Sequence, residues 1–380
     1  MTREELLRRL IAIDSRSEVS NRAIADFICD YLDAPGVRIV RNQSPDGTKL
    51  NVVAARGPAR EDRSGLVLSG HMDTVPFGEP DWSTDPLVLG RRDERYFGRG
   101  VCDMKGFLAL AVERFAKASA ALEHPLVLLF TYDEELGTIG ARHLVETWSS
   151  AEPLPQAAVI GEPTSLEVVR MHKGHFKLRI VVLGRPGHSA YPGSGRNAIE
   201  MAGGVIHQLS QLGRELEGET PPEAALFGEI RHATINLATI AGGTALNVIP
   251  GRCVLEIGIR LLPGMTGADM SERVRRAVER AVGRGAYALE PINESPAMAT
   301  PEAAPIHGTL CALAGQAGSR AVAFTTDGGW LGKLGLDCVV FGPGSIQAAH
   351  KPDEWLAVAE FERAAGLLES AVERWCVRPG

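Results

Sequence analysis

Apolar residues along this chain follow two rhythms. Four short unbroken runs, at 66–69, 126–131, 157–160 and 338–341, each give way to Gly, Asp, Glu or His. Runs of that length predict strands buried on both faces. Beside them, apolar positions recur every three or four residues, which predicts helices over 107–122, 140–148 and 355–375. Residues 1–13 predict a charged amphipathic helix with Leu6, Leu7, Leu10 and Ile11 on one face. The alternation predicts an α/β fold with a mostly parallel sheet, whose functional groups gather beyond the carboxyl ends of the strands. The middle of the chain follows another order: strand 176–183, helix 196–212, strands 233–240 and 253–261, helix 267–282, strand 286–292. That is β-α-β-β-α-β, the split βαβ (ferredoxin-like) pattern of a small antiparallel sheet with helices on one face. The expected organisation is a discontinuous catalytic α/β domain (1–175 and 293–380) with an inserted α+β lid (176–292).

Composition narrows the function classes. A net charge of −7 with scattered basic residues leaves no electrostatic footprint for nucleic acid. No apolar run has the length of a membrane span, and the N-terminus does not read as a signal peptide. Six cysteines without a CxxC pair suggest reduced thiols and a cytoplasmic address.

The segments after the apolar runs carry the candidate chemistry. SGHMDTVP sets His71 and Asp73 two apart, so that in an extended segment both side chains point the same way. One could ligate a metal while the other orients it. In GRGVCDMKG, Asp103 lies in a glycine-flanked loop ahead of a helix, where it could equally be an N-cap. TYDEELGT holds three adjacent acids, Asp133, Glu134 and Glu135, which repel unless protons or cations intervene; a solvated acidic loop is the alternative. IGEPTS places Glu162, and GPGSIQAAHKPDEW places His350. Should Asp103, Glu135, Glu162 and two neutral histidines converge, three carboxylates give −3 and a hydroxide nucleophile makes −4. Two divalent ions, about 3.5–4 Å apart, would neutralise that total. Mixed imidazole and carboxylate ligands suit zinc, and also cobalt or manganese.

With SGHMDTVP, GRGVCDMKG, DEELGT, GEPTS and AHKPDE in that order, nearly the whole chain resembles the di-zinc metallohydrolases that include aminoacylases, glutamate carboxypeptidases and succinyl-diaminopimelate desuccinylase. Within that group MHKGHF, TINLATIAGG, RLLPGMT and GPGSIQAAHKPDEW are most similar to deacetylases acting on N-acetylornithine. The resemblance implies one metal on His71, Asp103 and Glu162, and a second (Zn²⁺ or Co²⁺) on Asp103, Glu135 and His350. It makes Asp103 the bridge, Asp73 the support of His71, and Glu134 the general base, and it implies a cis peptide at Asp103–Met104. In the lid, GRPGHSAYP implies that His188 helps polarise the scissile carbonyl, while Asn247 and Arg260 hold substrate. It further implies a homodimer joined through the lids, with His188 serving the neighbouring chain's site.

The activity implied is hydrolysis of an N-acetyl amino acid, N-acetylornithine first, to acetate and the free amino acid. Arg260 would grip the α-carboxylate with its planar fork, an ion pair within the lid sheet being the alternative. The loop TTDGGWL departs from the acidic TEAPF-like segment of the resembling deacetylases, although Thr326 and Asp327 keep its polar character and are taken as substrate contacts. GHSAYP replaces a more usual Gly-His-Ser-Ser stretch. Rivals are another acyl amino acid, a succinylated diamine or a short peptide as substrate. A catalytically silent binding protein on this fold would be expected to lack the base or several ligands, and all are present. A phosphoesterase would need a phosphate cradle of glycine amides, which is not evident.

Overall fold

The computed structural model describes residues 1–78, 80–118, 122–149 and 153–377. The chain divides into two compact units. One comprises Met1–Met171, Ala299–Arg320 and Thr326–Gly380, the other His172–Met298 and Ala321–Thr325. The second unit thus runs a few residues beyond the expected 176–292 at both ends, and takes in a distant pentapeptide that no local pattern signals.

In the first unit the four apolar runs are parallel neighbours. Leu66–His71 lies between Leu126–Thr131 and Ala157–Ile160, and Asp337–Val340 pairs with the latter. All four are buried along nearly their full length, as strands covered on both faces must be. Two strands that the runs did not reveal, Val37–Gln43 and Leu50–Arg56, extend the sheet antiparallel beyond Leu126–Thr131. The helix Lys105–Lys117 packs against the sheet with Phe107, Leu108, Leu110, Val112 and Phe115 all buried. It starts two residues before the expected 107 and stops at Lys117 rather than 122; residues 119–121 lie outside the described residues. The segment 355–375 likewise divides, into a strand Trp355–Ala357 and the helix Val358–Val372.

Two glycines let the Lys105–Lys117 helix approach the strand ends. A Cβ on Gly70 would lie 2.4 Å from the Met104 side chain, and one on Gly161 would lie 2.0 Å from the Phe107 ring. A side chain at Gly161 would strike the Phe107 ring, and one at Gly70 would force the flexible end of Met104 aside; each glycine immediately precedes a candidate ligand, Glu162 or His71.

The second unit is a four-stranded antiparallel sheet in the order Thr234–Gly242, Arg252–Leu261, Gly174–Leu183, Tyr287–Ser295. Gly174–Leu183 alternates strictly at first: Phe176, Leu178 and Ile180 are buried, while His175, Lys177 and Arg179 face the other way. The buried face joins Val205 and Leu209 of the helix Ala198–Glu217 and Val274 and Val278 of the helix Gly267–Val282 in one core. Both helices are capped as their sequences suggest: Asn197 accepts from the Ile199 and Glu200 amides, and Thr266 from that of Asp269. Each buried aliphatic or Phe side chain contributes about 1.5–3 kcal/mol. Truncation such as Leu178→Ala is expected to cost about 2–5 kcal/mol.

Candidate metal centre

Every candidate ligand sits where a strand ends or a loop turns within the first unit. His71 closes the strand Leu66–His71, Glu135 follows Leu126–Thr131, and Glu162 follows Ala157–Ile160. Their ligand atoms fall into two groups, His71–Asp103–Glu162 and Asp103–Glu135–His350, within each of which all the atoms lie within 4.8 Å of one another. Asp103 belongs to both. His71 Nε2 is 3.0 Å from Asp103 Oδ1 and 3.8 Å from Glu162, while His350 Nε2 is 3.1 Å from Asp103 Oδ2 and 2.9 Å from Glu135. The peptide Asp103–Met104 is cis. The N-cap alternative for Asp103 does not hold: the cap position of the following helix is Met104, and no side chain caps it.

Asp73 acts differently from the expected carboxylate support. His71 Nδ1 donates to the Asp73 backbone carbonyl at 2.9 Å, whereas the nearer carboxylate oxygen stands at 3.6 Å. That bond still orients the ring and turns Nε2 towards Asp103. The Asp73 carboxylate instead accepts from the amides of Glu134 (3.1 Å) and Glu135 (3.2 Å) and from Ser17 Oγ (2.7 Å). It therefore fixes the acidic loop from within. Asp133, the first of the three acids, points into a buried pair with Lys49 at 2.7 Å, and Lys49 also donates to the Ser17 carbonyl. Ser17 and Lys49 went unmarked in the sequence, where a lone hydroxyl and a lone lysine carry no local signal.

The electrostatics follow from crowding acids in a dry place. Burial, then the Glu162 charge, pushes Glu134 well above the ordinary carboxyl range. Burial, then Asp103, does the same to Glu162 and, less strongly, to Glu135. Burial would raise Asp103 too, but its hydrogen bonds from His350 and His71 outweigh that and hold it low. Those bonds to Asp103 and Glu135 push His350 up to about 10. For His71, burial opposes the charged form, yet the Asp103 hydrogen bond and the surrounding carboxylates carry it well above 6.5. A cluster that draws positive charge onto its own imidazoles has the donor set and the field that divalent cations require. Glu134 lies outside both ligand groups but within their field.

The TTDGGWL loop lies mostly in the interior. Thr326 and Asp327 are buried, Thr326 Oγ1 accepts from the Gly328 amide, and Asp327 accepts from Thr131. Burial pushes Asp327 up to about 6. Trp330 is buried as well, donating to Thr138. Thr326 and Asp327 thus spend their hydrogen bonds inside the unit, and the Asp327 charge acts on Glu134 and Glu162.

The remaining candidates are in the second unit. His188 pairs in register with Val248, and the Ser189 amide donates to the Asn247 carbonyl at 3.0 Å, so the two lid motifs meet in one exposed corner. Arg260 stands elsewhere, opposite His175 and Thr234 in the sheet register, donating to Thr325 Oγ1 at 3.1 Å. Thr325 in turn donates to the Lys173 carbonyl at 2.8 Å. Burial, opposed by a hydrogen bond to the Lys173 carbonyl and aided by Arg260, lowers His172 to about 4; burial, then Arg260 and Lys177, lowers His175 likewise.

Parallel strands that end in two candidate ligand groups sharing one carboxylate have the arrangement of a divalent-metal enzyme. The chain belongs to the Peptidase family M20/M25/M40, whose model matches residues 67–374, and it is an amidohydrolase enzyme. It is 34% identical to an acetylornithine deacetylase of Proteus mirabilis (strain HI4320), over 98% of this chain and 96% of that one. It is also 34% identical to the acetylornithine deacetylase of Myxococcus xanthus, over 97% and 96%. Among solved structures it is similar in fold to an M20 family metallo-carboxypeptidase, Sso-CP2, from Sulfolobus solfataricus (TM-score 0.75, 16% identity, 98% and 99% covered). A tripeptidase from Staphylococcus aureus is similar too (TM-score 0.74, 18% identity, 98% and 97% covered).

Proposed function

We propose that this enzyme uses two divalent ions, zinc or cobalt, to hydrolyse the acetyl amide of an N-acetylated amino acid, N-acetylornithine first among them, in arginine biosynthesis. The observation that carries the reading is the pair of ligand groups sharing Asp103, with Glu134 beside them and in neither. Full-length similarity to acetylornithine deacetylases supports the substrate. His71, Asp103 and Glu162 would hold one ion, and Asp103, Glu135 and His350 the other. When bound, the ions supply Lewis-acid polarisation and activation of a water nucleophile at neutral pH.

The chain's own groups do the rest. Glu134, kept basic by burial and by Glu162, takes a proton from water as the C–O bond forms, then hands it to the amine as the C–N bond breaks. Asp73 holds the Glu134 and Glu135 amides and so the angle of that carboxylate. Arg260 pairs with the substrate α-carboxylate, and Asn247 holds the substrate from the lid. His188 donates to the carbonyl oxygen as it gains charge. Direct assay against N-acetylornithine, N-acetylcitrulline, N-acetylmethionine and N-succinyldiaminopimelate tests the substrate. Acetylornithine is expected to have the highest kcat/KM, and a clear win for another compound would reassign it.

Two copies joined through the second unit would complete each site. Thr234–Gly242 is an edge strand with Leu237 and Ile240 exposed, and Leu246 and Val248 stand exposed near the His188 turn. An isologous two-fold contact would cover both copies at once. Mixed dimers of a Glu134→Ala chain with a His188→Ala chain decide the matter. If His188 acts across the interface, one site is intact and activity returns to about half, since independent sites add; if it acts within its own chain, none returns. The six cysteines are all free and buried, which supports a reducing, cytoplasmic setting. Among the described residues no helix is long and apolar enough to cross a membrane.

A further inference from the structure

Four residues beyond His350, the side chain of Glu354 is almost completely buried and both its oxygens are fully engaged. Oε2 accepts from Arg99 Nη1 at 3.0 Å and from the Gly100 amide at 3.1 Å. Oε1 accepts from the amides of Cys102 at 2.8 Å and Asp103 at 3.0 Å. Around one carboxylate, then, folds the loop that presents the shared Asp103. The anchor is itself pinned. The Glu354 carbonyl accepts from the Gly98 amide, and the next residues, Trp355–Ala357, pair antiparallel with Arg95–Phe97, the strand that feeds the loop.

We infer that Glu354 is a positioning residue for the metal centre, fixing the backbone of Asp103 while His350, on the same segment, reaches its side chain. His350 touches Asp103 Oδ2 and Glu135, so one stretch of chain grips the shared carboxylate from behind and from in front. The chemistry requires a carboxylate. A glutamine has one acceptor oxygen and would turn its NH₂ towards two of the N–H donors, which it cannot satisfy. An aspartate, shorter by a methylene, keeps the charge but cannot reach all four donors. Because His350 and Glu135 complete the second ligand group, that group should suffer most when the anchor goes. The inference rests on the two-ion reading above, and partners beyond the ligands commonly set metal affinity by about 10–100-fold.

The test is zinc titration of the metal-free full-length enzyme against a competing chromogenic chelator, wild type beside Glu354→Gln. It is joined by visible spectra of the cobalt(II)-loaded proteins and by melting of the metal-free forms. The expected result is two ions on the wild type, the weaker held about 10–100-fold less tightly by the variant. The cobalt bands should change while the metal-free variant still unfolds cooperatively. Two ions at wild-type affinity with unchanged cobalt bands, whatever the melting temperature, would reduce Glu354 to a structural residue and overturn the inference. A wild type that takes up fewer than two ions would instead remove the two-ion reading itself. Should Glu354→Gln fail to fold, Glu354→Asp is read in the same way, with a smaller loss expected and wild-type affinity and bands again overturning the inference.

Discussion

His71 and His172 are equally shut away, at 1% and 0% exposure, yet their imidazoles are driven in opposite directions. Burial disfavours the charged ring in both. Around His71 the carboxylates of Asp103, Glu162 and Asp73 overturn that penalty. Around His172 the hydrogen bond to the Lys173 carbonyl opposes burial without overcoming it, and the Arg260 guanidinium adds to it, leaving the ring neutral down to about pH 4. Neighbouring charge, not depth, therefore decides what a buried histidine does. The same contrast separates the two units chemically. The first assembles acids that call for cations, and the second keeps neutral rings beside a guanidinium suited to a carboxylate.

The largest effect should come from the acidic side of that contrast. Glu134→Gln is expected to lower kcat by ~10²–10⁴-fold, the usual contribution of a general acid–base group. Metal content, read by elemental analysis, should stay at the wild-type value because Glu134 lies in neither ligand group. Loss of an ion from the variant would move Glu134 into the ligand set and leave the base to be found elsewhere.

A smaller effect is expected from the cationic side. Arg260→Ala should reduce kcat/KM for N-acetylornithine by about 10²-fold, the scale of breaking a desolvated charge pair. It should abolish the preference for the free α-carboxylate over its amide. The same substitution removes a charge that depresses His175, so the His175 titration followed by NMR should move up from about 4 towards 6.5. An unchanged preference for the carboxylate would place substrate recognition on other residues.

Legibility in the sequence followed the range of the forces. The four central strands could be read because burial on both faces demands unbroken apolar runs. The lid strand Gly174–Leu183 could be read because one buried face demands alternation. Val37–Gln43 escaped because its pattern of half-buried and exposed positions contains no apolar run. The candidate ligands stood out as acids and histidines at strand ends, and Asp73 stood out beside His71, but what its carboxylate holds did not. Asp73 spends its carboxylate on the amides of Glu134 and Glu135, about sixty residues away, and a hydrogen bond to a distant amide leaves no mark on local composition. Glu354 was in view within AHKPDEW, four residues from a candidate ligand, yet nothing in the motif says that its partners are the amides around Asp103. Thr325 joins the second unit for the same reason: its contacts, Arg260 and the Lys173 carbonyl, are remote in sequence.

The smallest effect sharpens the comparison of the two histidines through stability. His172 is lowered from 6.5 to about 4 on folding. Between those values the unfolded chain takes up a proton that the folded chain refuses, so stability is fully present above pH 6.5 and drains away as pH falls towards 4. At 1.36 kcal/mol per unit the shift is worth roughly 3 kcal/mol, and relaxation of the site trims the expected loss to about 2 kcal/mol, or ~30-fold in the folding equilibrium. His172→Asn removes the titration while its side-chain amide can still reach the Lys173 carbonyl that Nδ1 now meets at 3.0 Å. Urea unfolding of both proteins from pH 7 to pH 4, with metal chelated throughout, separates the His172 contribution by difference, since the carboxylates of the first unit titrate alike in both. The variant is expected to be less stable at pH 7, because a smaller side chain fills the site, but its stability should fall less steeply with acid. Arg260→Ala should flatten the wild-type slope part of the way, since one of the influences holding the ring neutral is then gone. Parallel curves for wild type and His172→Asn would mean that His172 is protonated as readily folded as unfolded, and the opposition between the two buried histidines would collapse.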